Sequence, residues 1–214
     1  MVDTIGWRVN TRTMTEITPF SERVRMSLRE TLLDAAAELL AEHGFAGLRM
    51  VDVAASAGVS RQTVYNEFGS KAALVNAVAL RTVSEFLDGS EERWRATSDL
   101  ATGMHAVVEY TVRHGRENRL VASVLGGAQA EDLLPLLTTR AEPVFRPAIE
   151  QAVRNLAERA PTLPPQPAAV IAETIVRLSV SHMMLPGGTP SEAADAVCAV
   201  ILPAIEAHWQ RSQS

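Results

Sequence analysis

The stretch SRQTVYNEFGSK, Ser60 to Lys71, is the part of the chain whose reading decides the fold. On a helical wheel at about 100° per residue, Val64 and Phe68 fall in one narrow sector. Gln62, Thr63 and Asn66 point away from it, with Arg61 and Tyr65 on one flank. A helix this short is marginal in water, where isolated helices need roughly 12 residues or more. Val64 and Phe68 must therefore anchor it to a neighbour.

That neighbour is legible upstream. Val51 to Ala57 is a second short helical segment, followed by the turn Gly58-Val59-Ser60. Two short helices joined by a tight turn containing Gly have the dimensions of a helix-turn-helix. Val53, Ala54, Ala57 and Val59 join Val64 and Phe68 as packing residues, and LRETLLDAAAELLAEHG offers the surface to pack on. Ser27 and Glu30 have capping-box spacing ahead of it and Gly44 follows as a stop, so a helix is expected over about 28–43, with room to extend upstream toward Ser21. Glu30, Asp34, Glu38 and Glu42 recur along one side of it, a stripe that would repel phosphate and so is expected to face away from any DNA. Arg23, Arg25 and Arg29 lie at its start, beside a polar arm whose composition permits disorder.

Downstream, Ser70 caps a helix expected over 71–87 and ending at Asp88-Gly89-Ser90. Further helical patterns follow near 97–115, 118–125, 131–139, 143–160, 167–185 and 190–209, with Thr189 and Glu192 repeating the capping-box spacing. Period-two strand signals are scarce. The chain reads as all-α: a polar arm (1–26), a helix-turn-helix unit (27–75) and a larger helical part (76–214). The last two helices form an antiparallel hairpin rich in apolar residues (Val170, Ile171, Ile175, Leu178, Met183, Leu185, Val197, Val200, Ile201, Ile205). That surface suggests a homodimer through an intermolecular four-helix bundle.

Composition narrows the function. Among 214 residues, 47% apolar and 21% charged, the formal net charge is −5. The chain therefore does not hold nucleic acid by bulk positive charge, and any DNA contact must be local. Lys71 is the single lysine among 20 basic residues. Cys198 stands alone in an apolar run, which leaves no internal disulfide and fits a reducing compartment. The start MVDTIGWRVN lacks a signal-peptide pattern, and the longest apolar segment is broken by Glu173, Arg177 and His182, so the expectation is a cytoplasmic protein. No H-E-x-x-H, paired Cys, Gly-rich phosphate loop or G-x-S-x-G occurs, and the histidines show no ligand spacing. Neither an enzyme nor a metal or cofactor site is expected. The polar side chains of 61–66 suit base and phosphate contacts, Arg to guanine, Gln and Asn to adenine, and Thr and Tyr hydroxyls to the backbone. A solvated helix face has the same composition, which keeps a helical interaction module without specific DNA binding as the alternative.

The run from Gly44 to Leu74, with GF, LRMVDVA, AGVS, TVY and F-G-S-K in ungapped register, resembles the DNA-binding region of the TetR family of bacterial transcriptional repressors. The resemblance covers about residues 27–75. It implies DNA contacts from Ser60, Arg61, Gln62, Thr63, Tyr65 and Asn66, with Thr63 and Tyr65 on the sugar-phosphate backbone and Lys71 on a phosphate beside the helix N-terminus. Arg49 stands where relatives carry a Ser or Thr cap, so the cap is expected to be lost and the guanidinium to reach a phosphate instead. Val51 replaces a polar reader of some relatives. The resemblance also implies that 27–75 is the DNA-binding domain and 76–214 the ligand-binding and dimerisation domain, with a dimer on a palindromic double-stranded operator and a small-molecule effector. Trp94, Met104, Tyr110, Phe145, Met183 and Met184 are candidates for an apolar pocket, with His105, His114, Arg140 or His182 as polar points. LLPLLTTRAEPVF and RLSVSHMMLPGG look like phrases of actinobacterial members, some of which respond to fatty acids or control alkane use. A fatty acid or another apolar compound is thus the expected effector class.

Overall fold

A computed structural model describes residues 20–126 and 142–212 of the chain. Among these, every regular element is a helix: α1 (Phe20–Gly47), α2 (Met50–Ser56), α3 (Arg61–Phe68), α4 (Lys71–Arg95), α5 (Leu100–Glu117), α6 (Arg119–Gly126), α7 (Glu142–Arg159), α8 (Pro165–Met184) and α9 (Pro190–Ser212). The helix expected over 131–139 lies outside the described residues.

α1 departs from expectation at its start. Ser27 is no cap but sits inside the helix, its carbonyl accepting the Thr31 hydroxyl at 2.9 Å. The arm assigned to 1–26 is shortened accordingly, because residues 20–26 are helical. The physical reason is tertiary: Arg25 and Arg29 reach Glu67 of α3 at 3.2 and 2.9 Å, which ties the early turns of α1 down. Gly44, at φ 65, breaks the helix where a stop was expected, a conformation that costs a side-chain-bearing residue roughly 1–2 kcal/mol.

α1 to α3 and the first turns of α4 enclose one core. Leu32, Ala36, Leu40, Leu48, Val53, Val64, Leu74 and Val78 are essentially inaccessible there. Ser60 caps α3, its Oγ accepting the Thr63 N–H at 3.1 Å, and Ser70 does the same for α4 through Ala73 at 3.2 Å. The acidic stripe meets α4, where Arg81 binds Asp34 at 2.6 Å and Glu30 at 3.4 Å. A second core joins α5, α7, α8 and α9 around Val108, Val112, Leu156, Ala172, Val197 and Ile205.

α4 does not end at Asp88-Gly89-Ser90 but continues to Arg95. Gly89 is not a terminator there: it leaves room for the Tyr110 side chain of α5, which occupies the space a Cβ would need. The boundary drawn at residues 75 and 76 therefore falls inside one continuous helix. Leu74 and Val78 of that helix belong to the first core, while Val75, Ala79, Val83 and Phe86 face a cavity. At the far end Thr189 N–H donates to Glu192 at 2.7 Å and Glu192 N–H to the Thr189 hydroxyl at 3.2 Å, a reciprocal capping box for α9. Much of the apolar hairpin surface expected between subunits is used within the chain. Ile171, Ile175, Met183, Val197, Ile201 and Ile205 are buried, which leaves Val170 and Val200 exposed on the helices (61% and 60%). Cys198 is buried, and burial followed by the nearby Asp195 charge raises its thiol pKa.

Candidate functional site

The outward ridge of α3 is organised in pairs. Gln62 Nε2 donates to Asn66 Oδ1 at 2.8 Å, and Arg61 Nη2 donates to Tyr65 Oη at 3.3 Å with its guanidinium 5.1 Å from the ring centre. The Ser60 and Thr63 hydroxyls share a 2.9 Å hydrogen bond at the helix start. Arg61, Gln62 and Asn66 are exposed, whereas Thr63 and Tyr65 are half-buried, so α3 presents a polar ridge rooted by Val64 and Phe68. Successive i,i+4 pairs hold these side chains along the axis, and the ordering cost on meeting a ligand falls accordingly.

Lys71, at the N-terminus of α4, donates to the Ala46 carbonyl at 3.3 Å and lies 4.5 Å from the Phe45 ring centre. The ammonium and the helix N-terminus thus place two positive features together. Arg49 provides no side-chain cap for α2. It binds Asp52 instead, at 2.7 and 3.0 Å, and this hydrogen bond, reinforced by the charge, lowers the Asp52 pKa and raises that of Arg49. Arg49 therefore brings its own counter-charge to the surface and is not a free cation awaiting a phosphate. Val51 is half-exposed beside it.

Glu67, which sequence reading passed over, completes this face together with Arg25 and Arg29, which it placed only beside the polar arm. Glu67 is the one acid of α3 and would repel phosphate if free, but Arg25 and Arg29 of α1 enclose it. Burial raises its pKa, and the two arginine hydrogen bonds outweigh that, leaving it below the ordinary carboxylate range. Arg29 also stacks 4.7 Å from the Phe68 ring centre. The signal available in sequence was a lone carboxylate on the polar side of α3 with arginines at the start of α1.

Among the described residues a cavity of about 210 Å³ lies between α4, α5, α6, α7 and α8, closed toward the first core by Leu40 of α1. Four expected lining residues are there: Trp94, Met104, Phe145 and Met183. Tyr110, Met184, His105, His114 and His182 are not, and Arg140 lies outside the described residues. Tyr110 and His114 stack on each other at 5.2 Å, with Phe86 edge-on to His114 at 4.6 Å. His105 turns to Asp195 of α9 at 3.2 Å. The His182 carbonyl accepts Arg116 at 2.9 Å. The correction is physical: hydrocarbon-like walls exclude titratable rings, and the polar groups that do line the cavity are uncharged, among them Gln151, Asn155, Ser90 and Ser179. No group of three or more His, Cys, Asp or Glu that could hold a metal ion occurs among the described residues, and none of their helices is long and apolar enough to cross a membrane.

Comparison with known proteins bears on both sites. Residues 32–78 match the family model described as bacterial regulatory proteins, tetR family, and residues 99–203 match that of the bacterial tetracyclin repressor C-terminal domain. The HTH-type transcriptional regulator AlkX of Mycobacterium tuberculosis is 30% identical over 191 residues, 89% of this chain and 90% of its own length. The HTH-type transcriptional activator FasR of Mycolicibacterium smegmatis is 36% identical over 81 residues, 38% of this chain and 37% of that protein. In three dimensions the chain is similar to a TetR family repressor AlkX from Dietzia sp., implicated in biodegradation of n-alkanes. The TM-score is 0.67 at 28% identity, with 82% of this chain and 96% of that chain covered.

Proposed function

The chain belongs to the TetR family of bacterial transcriptional regulators, and from that membership we propose that it is a repressor which binds a palindromic operator as a homodimer and leaves it on binding a small apolar molecule. DNA-binding regulation is the family's activity. The repressor sign, the contacting residues and the effector class are our reading. The observation that carries it is the shared wall: Leu40 and Val75 line the cavity and also belong to the core on which α3 is rooted. A ligand that fills the cavity better in one arrangement of α4 than another shifts the population of α3 positions, and only that differential affinity does so.

Arg61, Gln62 and Asn66 are the proposed base readers. Ser60, Thr63, Tyr65 and Lys71 are the proposed backbone contacts, with Arg49 a weaker one because Asp52 already holds it. The proposed dimer face combines Val170 of α8 with the exposed small residues Ala196, Ala199, Val200, Pro203 and Ala204 of α9, which recur at helical spacing. Two α3 helices would then meet major-groove segments about one helical turn, ~34–36 Å, apart. The apolar lining of the cavity suits a hydrocarbon-like effector, as does the link of one AlkX to n-alkane degradation.

The test is fluorescence anisotropy with labelled fragments recovered from genomic DNA by the purified protein. The expected result is salt-dependent retention of a palindromic site that apolar compounds reverse. Absence of any specifically retained fragment would support the rival reading, an interaction module.

A further inference from the structure

The polar groups of the cavity are not equivalent. Three hydroxyls are already committed to carbonyls one turn back on their own helices: Thr82 to Val78 at 3.1 Å, Thr111 to Val107 at 2.8 Å and Ser179 to Ile175 at 2.8 Å. The Gln151 amide nitrogen donates to the Leu87 carbonyl at 3.0 Å and to Glu91 at 3.3 Å. Ser90 and Asn155 make no such hydrogen bond among the described residues, although both line the cavity and Ser90 is 7% exposed. Asn155 is half-buried and Ser90 buried, and an uncommitted amide or hydroxyl in an otherwise apolar wall is where a ligand's polar group can bond.

Their level in the fold follows from their neighbours. α7 runs beside α4 in the same sense, with Gln151 against Leu87 and Glu91, and with Glu158 and Arg159 against Trp94. Asn155 lies between those two levels, and Ser90 on α4 lies at the first, between Leu87 and Glu91. The opposite end of the cavity is Leu40 and Val75, at the core that roots α3. Along α4, the lining from Val75 to Trp94 spans roughly 28 Å at about 1.5 Å per residue. The described lining is thus long, carries its uncommitted polar groups at one end, and has no charged side chain.

We propose that this cavity binds an uncharged chain molecule, an aliphatic alcohol in its simplest form, with its polar end on Asn155 and Ser90 and its hydrocarbon tail directed at Leu40 and Val75. The assignment rests on the cavity being the effector site of the proposed regulator. A hydroxyl meets both needs, accepting from the Asn155 amide and donating to its carbonyl or to Ser90. Among the described residues the nearest cation, Arg159, is committed to the Thr97 hydroxyl and three carbonyls, so a carboxylate or a phosphate-bearing head meets no free counter-charge from them, and burying it unpaired is far more costly than burying an alcohol. The tail direction makes chain length the variable that reaches the DNA-binding unit.

The experiment titrates the full-length protein with dodecan-1-ol, dodecane and dodecanoate, following tryptophan emission, since Trp94 lines the cavity. The alcohol should bind roughly 2- to 10-fold more tightly than the alkane. Asn155→Leu should erase that preference while alkane binding persists, which also shows the variant to be folded. Ser90→Ala should reduce the preference in part. Equal binding of alcohol and alkane, an unchanged ratio in Asn155→Leu, or tighter binding of dodecanoate would overturn the proposal. A series from octan-1-ol to hexadecan-1-ol, read in parallel by operator anisotropy, tests the tail. Release should rise with length while the loss caused by Asn155→Leu stays constant, and a loss that varies with length would refute the assigned direction. Alcohol that binds as described but never releases operator counts against the regulatory reading alone.

Discussion

Arg159 supports a quantitative expectation. Its guanidinium stacks 3.7 Å from the Trp94 ring centre and makes four hydrogen bonds, to the Thr97 hydroxyl (2.9 Å) and to the carbonyls of Asp99 (2.9 Å), Trp94 (2.5 Å) and Thr97 (2.7 Å). Two of those carbonyls belong to the last turn of α4 and the turn that follows, and the Trp94 carbonyl there also accepts the Thr97 N–H at 3.2 Å and the Thr97 hydroxyl at 2.9 Å, so Arg159 completes an existing cap. Arg159→Met keeps much of the aliphatic stem and removes all four donors. Hydrogen bonds to a charged group contribute roughly 1.5–3 kcal/mol each, but the site is half-buried and water re-solvates part of it, so the terms do not add. We expect a net loss of about 3 kcal/mol, a large share of the ~5–15 kcal/mol that holds an ordinary domain together. Arg159→Lys restores a charge without the fork or the planar stacking and should recover only about 1 kcal/mol. Urea unfolding followed by tryptophan emission measures both. A loss below about 1 kcal/mol for the Met variant, or a Lys variant as stable as the wild type, would show that α7 does not anchor the end of α4.

Three further outcomes follow from the same geometry. Tyr65→Ala and Lys71→Ala should weaken binding to all sequences alike, whereas Gln62→Ala or Asn66→Ala should change base preference by ~1–3 kcal/mol at particular positions, as read by anisotropy on an operator substitution series. Four folded variants with wild-type affinity and preference would exclude α3 as the reader. The folded pKa of Glu67 is depressed, so its contribution is complete above the unfolded carboxylate value of roughly 4.3 and is lost as pH falls through the folded value below it. Glu67→Gln should flatten that acid limb of the stability curve, and an unchanged limb would contradict the assignment. Gly89→Ala would set a methyl against the Tyr110 hydroxyl and the ring carbons beside it and should destabilise by about 1–3 kcal/mol, with a smaller added loss in a Tyr110→Leu background, which lacks those atoms. Equal melting temperatures for Gly89→Ala and the wild type would remove that contact from the account.

The parts of the fold that were legible in sequence are those fixed by neighbours along the chain. Ser60, Ser70 and the Thr189–Glu192 pair are caps because the hydroxyl and the N–H it serves are three residues apart, and all three start helices as expected. The Ser27–Glu30 spacing was equally good locally and failed, because Glu67, forty residues away, stabilises the turns upstream of it. Gly89 reads as a terminator until Tyr110 of another helix is seen to need its missing side chain. The cavity divides in the same way. Trp94, Met104, Phe145 and Met183 were recognisable as large apolar side chains, while the histidines were chosen for chemistry that an apolar wall does not admit. Thr82, Val83 and Phe86 lie within the helix expected over 71–87 but were not named as lining, although their helical spacing from Val75 and Ala79 marks a second buried face.

Lys71 is the chain's only lysine. A lysine-directed label, or an acetylating enzyme, therefore finds a single ε-amine, and it lies where α4 meets the proposed operator. Neutralising it would remove one cation from that contact without touching the arginines. Its reactivity, followed by mass spectrometry, would give a one-residue footprint of operator occupancy in which every other basic side chain is silent.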